Sequence, residues 1–325
     1  MTGLSDSFQR PIDYLRISVT DRCNLRCIYC MPAEGINLLP HEDILSYEEI
    51  YQIATAAAEL GIKKVRITGG EPLVRIGLSS LIRMLAQIDA IDDIALTTNG
   101  TLLSQYADEL KAAGLRRVNI SLDTLKPDKL KLITRGGDFN AVLEGIDAAG
   151  AAGLDPIKIN VVVMAGSNDD ELLDFAGKTV KEGWHVRFIE HMPLNREMAS
   201  SSFVSVNEMR ERLVTLGELE PCTFKGNGPA KYYRLPHANG TIGFITPVSE
   251  HFCFRCNRLR LTADGKLRPC LLSDGEIDLR QPLRSGVSAE ELKNLIKRAV
   301  DSKPRQHRLA EGVVPRDRPF SQVGG

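Results

Sequence analysis

Apolar positions in the first two-thirds of the chain alternate between two periods. Short β-branched runs at residues 15–19, 64–68, 93–97, 117–121, 157–162 and 186–189 read as strands. The stretches between them carry apolar residues at helical spacing, most clearly at 46–60 and 101–113. Ser46 with Glu49 three residues on reads as a capping box, and Gly61 and Gly114 read as helix stops. Strand–helix alternation predicts a parallel sheet covered by helices. Six such strands predict an α/β fold, a partial (β/α)6 TIM-like barrel, with its chemistry at the C-terminal strand ends. From about Pro193 the pattern changes to a helical stretch at 197–217, clearest at 203–216, then loops and short antiparallel strands through 225–245, expected to carry a second metal site. The expected organisation is a barrel domain at 1–192 and a C-terminal α+β domain at 193–325.

The loops after the predicted strands are polar or rich in glycine. They are a cysteine loop, then Thr68-Gly69-Gly70-Glu71-Pro72, Thr97-Thr98-Asn99-Gly100 and Ser121-Leu122-Asp123. The fifth strand carries Lys158 and Asn160, and the sixth leads into Glu190-His191-Met192-Pro193. One such loop is an ordinary turn. Six converging on one mouth mark a site, and glycine there lets the backbone approach a ligand closely.

Composition narrows the partners. With 41 basic and 42 acidic residues the formal charge is −1, so no global field draws the chain to nucleic acid or an acidic membrane. A polyanionic ligand must be held by local cations. No apolar run approaches the ~18 residues of a membrane span. No apolar signal segment is seen either, so the expected location is cytoplasmic, with thiols kept reduced.

Six of the seven cysteines fall into two triplets. Cys23, Cys27 and Cys30 form C-x3-C-x2-C. A [4Fe–4S] cluster takes four ligands, so three thiolates leave one iron open to another group. Structural zinc wants four protein ligands, and the nearest further donor, His41, lies well downstream. Cys253, Cys256 and Cys270 form C-x2-C-x13-C. His251 could complete a Cys3His zinc site, and spacing alone leaves zinc and a second cluster both open. Arg258 and Arg260 alternate with leucines and should share one strand face beside that metal, where two guanidiniums suit phosphate. Cys222 reads as a buried small apolar residue. No G-x4-G-K-[ST] loop is present, so phosphates must be held by side chains.

The run Cys23-Asn24-Leu25-Arg26-Cys27-Ile28-Tyr29-Cys30-Met31-Pro32 resembles the signature of the radical S-adenosylmethionine (SAM) superfamily. Added to it are Arg66-Ile67-Thr68-Gly69-Gly70-Glu71-Pro72-Leu73, Leu96-Thr97-Thr98-Asn99-Gly100, Asn119-Ile120-Ser121-Leu122-Asp123, the segment 252–265 with Cys270, and the final Gly324-Gly325. Together they make the chain similar to the GTP 3′,8-cyclase family of molybdenum-cofactor biosynthesis. The resemblance implies two [4Fe–4S] clusters, the first on Cys23, Cys27 and Cys30, its open iron chelated by SAM, and the second on Cys253, Cys256 and Cys270, its open iron facing the guanine. It implies SAM contacts at Tyr29, Gly70, Ser121 and Met192, and GTP contacts at Arg16, Arg66, Thr97, Lys158, Arg258 and Arg260. It adds Arg16, Gly324 and Gly325 to the three N-terminal cysteines as catalytic residues. The implied reaction starts with a 5′-deoxyadenosyl radical taking hydrogen from ribose C3′. It ends in (8S)-3′,8-cyclo-7,8-dihydroguanosine 5′-triphosphate. A flavodoxin- or ferredoxin-like electron donor, hand-off of product to a cyclic pyranopterin monophosphate synthase, and room for a homodimer complete the expectation. The rival readings are a peptide-modifying radical SAM enzyme with an auxiliary cluster and a non-catalytic iron–sulfur carrier.

Overall fold

Strands and helices alternate as the periodicity requires, and the strands all enter one sheet. The computed structural model describes residues 3–192, 203–226, 228–316 and 318–324. Its strands are β1 (Tyr14–Ser18), β2 (Lys64–Thr68), β3 (Asp93–Thr98), β4 (Arg117–Ser121), β5 (Ile157–Val163) and β6 (His185–Glu190), then β7 (Glu220–Cys222), β8 (Lys231–Arg234), β9 (Thr241–Ile245), β10 (Arg258–Leu261), β11 (Lys266–Arg268) and β12 (Ile277–Asp278). Between β1 and β6 lie α1 (Tyr47–Glu59), α2 (Leu78–Ala86), α3 (Leu103–Ala112), α4 (Pro127–Thr134), α5 (Phe139–Ala151) and α6 (Leu172–Lys181). The Ser46–Glu49 capping box forms as predicted and starts α1.

The strand order is β12-β11-β10-β1-β2-β3-β4-β5-β6-β9-β8-β7. Strands β1 to β6 pair in parallel, one after the next. The fold is thus the α/β partial barrel expected, with one correction. The strands of 220–245 do not carry the second cysteine triplet. They extend the β6 edge, where β9 pairs in parallel with β6 and β8 and β7 follow antiparallel. The triplet lies at the opposite edge, around β10 and β11, and β10 is parallel to β1. The physical reason is burial. Thr241, Ile242, Gly243 and Phe244 are all buried, and a strand covered on both faces belongs in a parallel sheet rather than an exposed hairpin. The lone Cys222, expected to be buried, is half-exposed on the edge strand β7.

Two contacts fix the frame around the strand ends. The buried Glu190 carboxylate, at the end of β6, accepts from Val206 N (3.1 Å) at the start of α7 (Val206–Leu213), and from Val248 N and Ser249 N (3.0 Å each). It therefore knots the last barrel strand to the C-terminal segment. On the outer face α5 packs on α3 so closely that a Cβ at Gly145 would overlap the Gly100 carbonyl. The boundary expected after residue 192 falls at the start of 193–202, outside the described residues. Among the described residues no helix is long and apolar enough to cross a membrane. Gly145→Ala should therefore destabilise the protein by about 1–3 kcal/mol through overpacking, read as a lower urea midpoint with unchanged slope.

Candidate active site

The loop after β1 is built on glycine. Gly70 N donates to the Thr20 carbonyl and Glu71 N to the Arg22 carbonyl, both at 2.8 Å. A Cβ at Gly70 would overlap the Arg22 carbonyl, so no larger residue permits this approach. From the other side, Arg26 N and Ile28 N donate to the carbonyls of Thr134 and Ile133 (2.9 Å each), which the end of α4 leaves without helical partners. Held on both sides, the loop presents Cys23, Cys27 and Cys30, each half-buried. Burial pushes the Cys23 thiol up to about 11 and the Cys30 thiol up to about 12, and raises Cys27 well above its ordinary value. Nearby negative groups add to this, Glu71 at Cys23, and Asp123 and the neighbouring thiols at Cys27 and Cys30.

Carboxyl groups gather on this side of the cavity. Tyr29 donates its hydroxyl to Asp123 Oδ2 (2.7 Å), while Val162 N donates to Asp123 Oδ1 (2.8 Å). Burial raises Asp123 to about 6 despite these bonds. Glu71 accepts from Thr98 Oγ1 and Asn99 N (2.7 Å each), and burial raises it to about 7.

Cations gather opposite. The ladders place Arg16 on β1 level with Arg260 on β10 and with Arg66 on β2. Arg66 donates through Nε to the Tyr14 hydroxyl and through Nη1 to Thr97 Oγ1 (3.2 Å). Burial lowers Arg16 strongly, and Arg260, Arg66 and Arg258 lower it further, with Tyr14 opposing. Burial, with Arg258, brings Arg260 down to about 10. Asp93, the acid on this side, is taken up by a fork from Arg117.

Both groups face one cavity of ≈ 1700 Å³ counted out to its open mouth. Of the residues singled out by sequence, Cys23, Cys27, Cys30, Tyr29, Gly70, Ser121 and Met192 line it, as do Arg16, Arg66, Thr97, Arg258 and Arg260. Lys158 stands behind the wall. Its ammonium donates to the Lys225 carbonyl and lies 4.7 Å from the Phe224 ring centre and 5.5 Å from that of Tyr232. Burial, with Arg187, Arg117 and Arg66, brings Lys158 down to about 6.

The second triplet sits beside the arginines. Cys253 and Cys256 bracket a short 3-10 turn, and Cys270 follows β11. Lys303 donates to the carbonyls of Arg258 (2.7 Å) and Pro269, and Arg10 to that of Cys253 (2.7 Å). Burial raises the Cys256 thiol, but Arg258 and Lys303 outweigh it and bring it down to about 6. His251, the zinc donor considered from sequence, is exposed, its ring set edge-on to His307 with centres 5.7 Å apart. Gly324 lies at the strand ends with φ +68°. Its carbonyl accepts from Arg260 Nη1 (2.5 Å), and a Cβ there would come within 2.5 Å of Thr68 Oγ1. Gly325 lies outside the described residues.

Sequence reasoning missed Tyr14, Asn119 and Arg187, which line the cavity, and Arg10 and Lys303, which hold the second triplet. Arg187 is buried, with no hydrogen-bond partner at Nε. Its signal was present: a cation flanked by Val186 and Phe188 repeats the alternation that exposed Arg258 and Arg260. Arg10, ion-paired to Asp6 (2.5 Å), and Lys303 reach the triplet through backbone carbonyls and leave no such mark.

A partial barrel carrying a three-cysteine loop at its mouth defines a radical SAM protein, and the Radical SAM superfamily model matches residues 17–178. The Molybdenum Cofactor Synthesis C model matches residues 184–309. The chain is 54% identical to the GTP 3′,8-cyclase of Moorella thermoacetica over 99% of its own length and 100% of that one. It is 53% identical to the GTP 3′,8-cyclase of Thermodesulfovibrio yellowstonii, again over 99% and 100%. The chain belongs to the GTP 3′,8-cyclase family. Among solved structures, Streptococcus suis SuiB bound to S-adenosylmethionine shares the fold, with a TM-score of 0.61 at 15% identity over 91% of this chain and 76% of that one.

The donor sets fit iron–sulfur clusters. Three half-buried thiols, of which Cys27 and Cys30 are raised further by their neighbours, need a cationic partner to ionise together, and the second set already has a lowered thiol between Arg258 and Lys303. Gly70→Ala should push the first loop off its seat. The expected result is a fall from about eight irons per chain to about four, measured on anaerobically reconstituted protein. Undiminished iron would show that the Gly70–Arg22 approach is dispensable.

Proposed function

We propose that this chain converts GTP to (8S)-3′,8-cyclo-7,8-dihydroguanosine 5′-triphosphate at the expense of SAM, the first step of molybdenum-cofactor biosynthesis. The observation that carries this reading is the row of arginines from β10, β1 and β2 facing the same cavity as the three-cysteine loop. A triphosphate is the complement of such a row, because guanidiniums bind phosphate oxygens in forked pairs.

Cys23, Cys27 and Cys30 hold one [4Fe–4S] cluster, and Cys253, Cys256 and Cys270 the other. When bound, the first cluster and SAM supply the 5′-deoxyadenosyl radical. Tyr29, Gly70, Ser121 and Met192 hold SAM on the carboxyl-rich side. Arg16, Arg66, Thr97, Arg258 and Arg260 hold GTP on the cationic side, and Lys158 adds its charge from behind. Val162, Ile189, Ile245 and Leu271 add apolar surface to the same cavity wall, which helps keep water from the reacting carbon. Gly324 closes the mouth beside Arg260, and the reading gives Gly325 a catalytic part with it. In this reading residues 1–192 form the SAM-handling unit and 193–325 the unit that completes the substrate site. A flavodoxin- or ferredoxin-like donor supplies electrons, a cyclic pyranopterin monophosphate synthase takes the product, and the enzyme works in the cytoplasm, with room for a homodimer.

The test separates the two ends. Cys27→Ser should abolish SAM cleavage by dithionite-reduced enzyme, while Cys256→Ser should keep some cleavage and lose cyclised product. No SAM cleavage at all would favour the carrier reading, and cleavage that ignores GTP the peptide-modifying one. Arg258→Ala and Arg260→Ala should each weaken GTP binding by about 1.5–3 kcal/mol, with Lys replacements rescuing only part of it, in anaerobic calorimetry.

Lys158 supplies a pH signature. Held near 6 in the folded protein, it is mostly neutral at pH 7, and a bound polyanion restores its charge. GTP binding should therefore take up protons above about pH 6 and progressively fewer below it. Binding enthalpies at pH 7 that are the same in buffers of different ionisation heat would remove Lys158 from the substrate's field.

A further inference from the structure

Upstream of Gly324 the tail is fastened by Gln322 Nε2 on the Asn37 carbonyl (3.3 Å) and, more firmly, by a half-buried ionic fork. Arg318 donates to both oxygens of Asp264 (Nη1 to Oδ1, 3.1 Å; Nη2 to Oδ2, 2.7 Å) and to both of Glu276 (Nε to Oε2, 3.0 Å; Nη2 to Oε1, 3.0 Å). Each carboxylate is fixed in turn. Asp264 Oδ1 accepts from Thr262 Oγ1 (2.6 Å), and Glu276 Oε2 accepts from Arg268 Nη1 (2.9 Å). Arg268 also donates to the Ser273 carbonyl, and Arg316 N donates to Asp274 Oδ1 (2.8 Å). The root of the tail is thus bonded to the segment 264–278, which carries Cys270. From there a short 3-10 turn (Phe320–Gln322), closed by Gln322 N on the Pro319 carbonyl (3.0 Å), leads to Gly324 with little slack.

We propose that Arg318 is a positioning residue for the reaction: its double fork to Asp264 and Glu276 sets where the Gly324 carbonyl meets Arg260. This rests on the reading that the glycine tail closes the active site. Two carboxylates shared by one guanidinium define the tail's direction as well as its attachment, because the fork is planar. Lysine, a point charge, can hold one carboxylate but cannot reproduce that plane.

The test uses the full holoenzyme with Arg318→Ala, Arg318→Lys, Asp264→Asn and a truncation after Val323. Hydrogen–deuterium exchange of the peptide covering 319–325 should quicken roughly tenfold or more in Arg318→Ala, the effect of losing one or more charge-assisted bonds. Arg318→Lys and Asp264→Asn should fall between it and the parent. Turnover of GTP should drop in the same order, with GTP affinity and iron content unchanged. In the truncated chain, Arg318→Ala should lower turnover no further, because the residue acts only through the tail. Unchanged exchange in all three substitutions, or an equal further loss in the truncated background, overturns the proposal. Undiminished turnover of the truncated chain overturns the tail's place in the reaction, and the exchange rates tell that failure apart from a failure of the fork.

Discussion

Like charges held side by side are the constraint on which this structure turns. Arg260, Arg16 and Arg66 occupy one level of three adjacent parallel strands, and Arg187 reaches the same cavity from β6. Taking a guanidinium out of water is costly, and putting another next to it costs more. Burial and mutual repulsion both act to lower the pKa of Arg16, as its own environment records. The ladder hydrogen bonds and the apolar Leu259, Leu261, Leu15 and Ile17 on the opposite face hold the row in place. Such an arrangement spends folding stability to keep a polyanion site ready in advance, so that little reorganisation remains when the ligand arrives.

The cavity is polarised as a consequence. Of its carboxyl groups, Glu71 and Asp123 are tied to backbone N–H groups, Thr98 and Tyr29 beneath the first cysteine loop, and Glu190 to the backbone of Val206, Val248 and Ser249. They do not reach across to neutralise the arginines. In the proposed function, a negatively charged triphosphate is thereby repelled from the three-cysteine side and drawn to the other, so that charge orients it along the cavity. The glycine pair 69–70 contributes the remaining precision by letting two backbones touch where side chains would separate them.

Much of this was legible. The six barrel strands are short β-branched runs, and a run's pattern is local, so each was found within a residue or two of its place. Arg258 and Arg260 were legible for the same reason, since alternation with leucine fixes a face. The pairing of β10 with β1 was not, because register between segments at opposite ends of a chain is set by packing that no local pattern records. Lys158 shows the limit from the other side. Its strand position was correct, but the Lys225 carbonyl and two aromatic rings draw its ammonium out of the cavity. Lys303 and Arg318 were silent because their partners are carbonyls and carboxylates remote in sequence, and Arg10 because only its pairing with Asp6 is local while the carbonyls it holds are remote.

The β1–β10 pairing also carries a consequence for biosynthesis. Domains form as the ribosome delivers them, N-terminal parts first. The six barrel strands and the first cysteine loop are complete when little more than half the chain has emerged, yet one wall of the cavity arrives only with β10 and the tail seat only with 264–278. In the proposed function, a nascent chain can therefore shape the SAM-binding half while unable to grip a nucleotide. Synthesis itself orders the two halves, so the radical-forming centre is not assembled around a substrate before the walls that contain the radical exist.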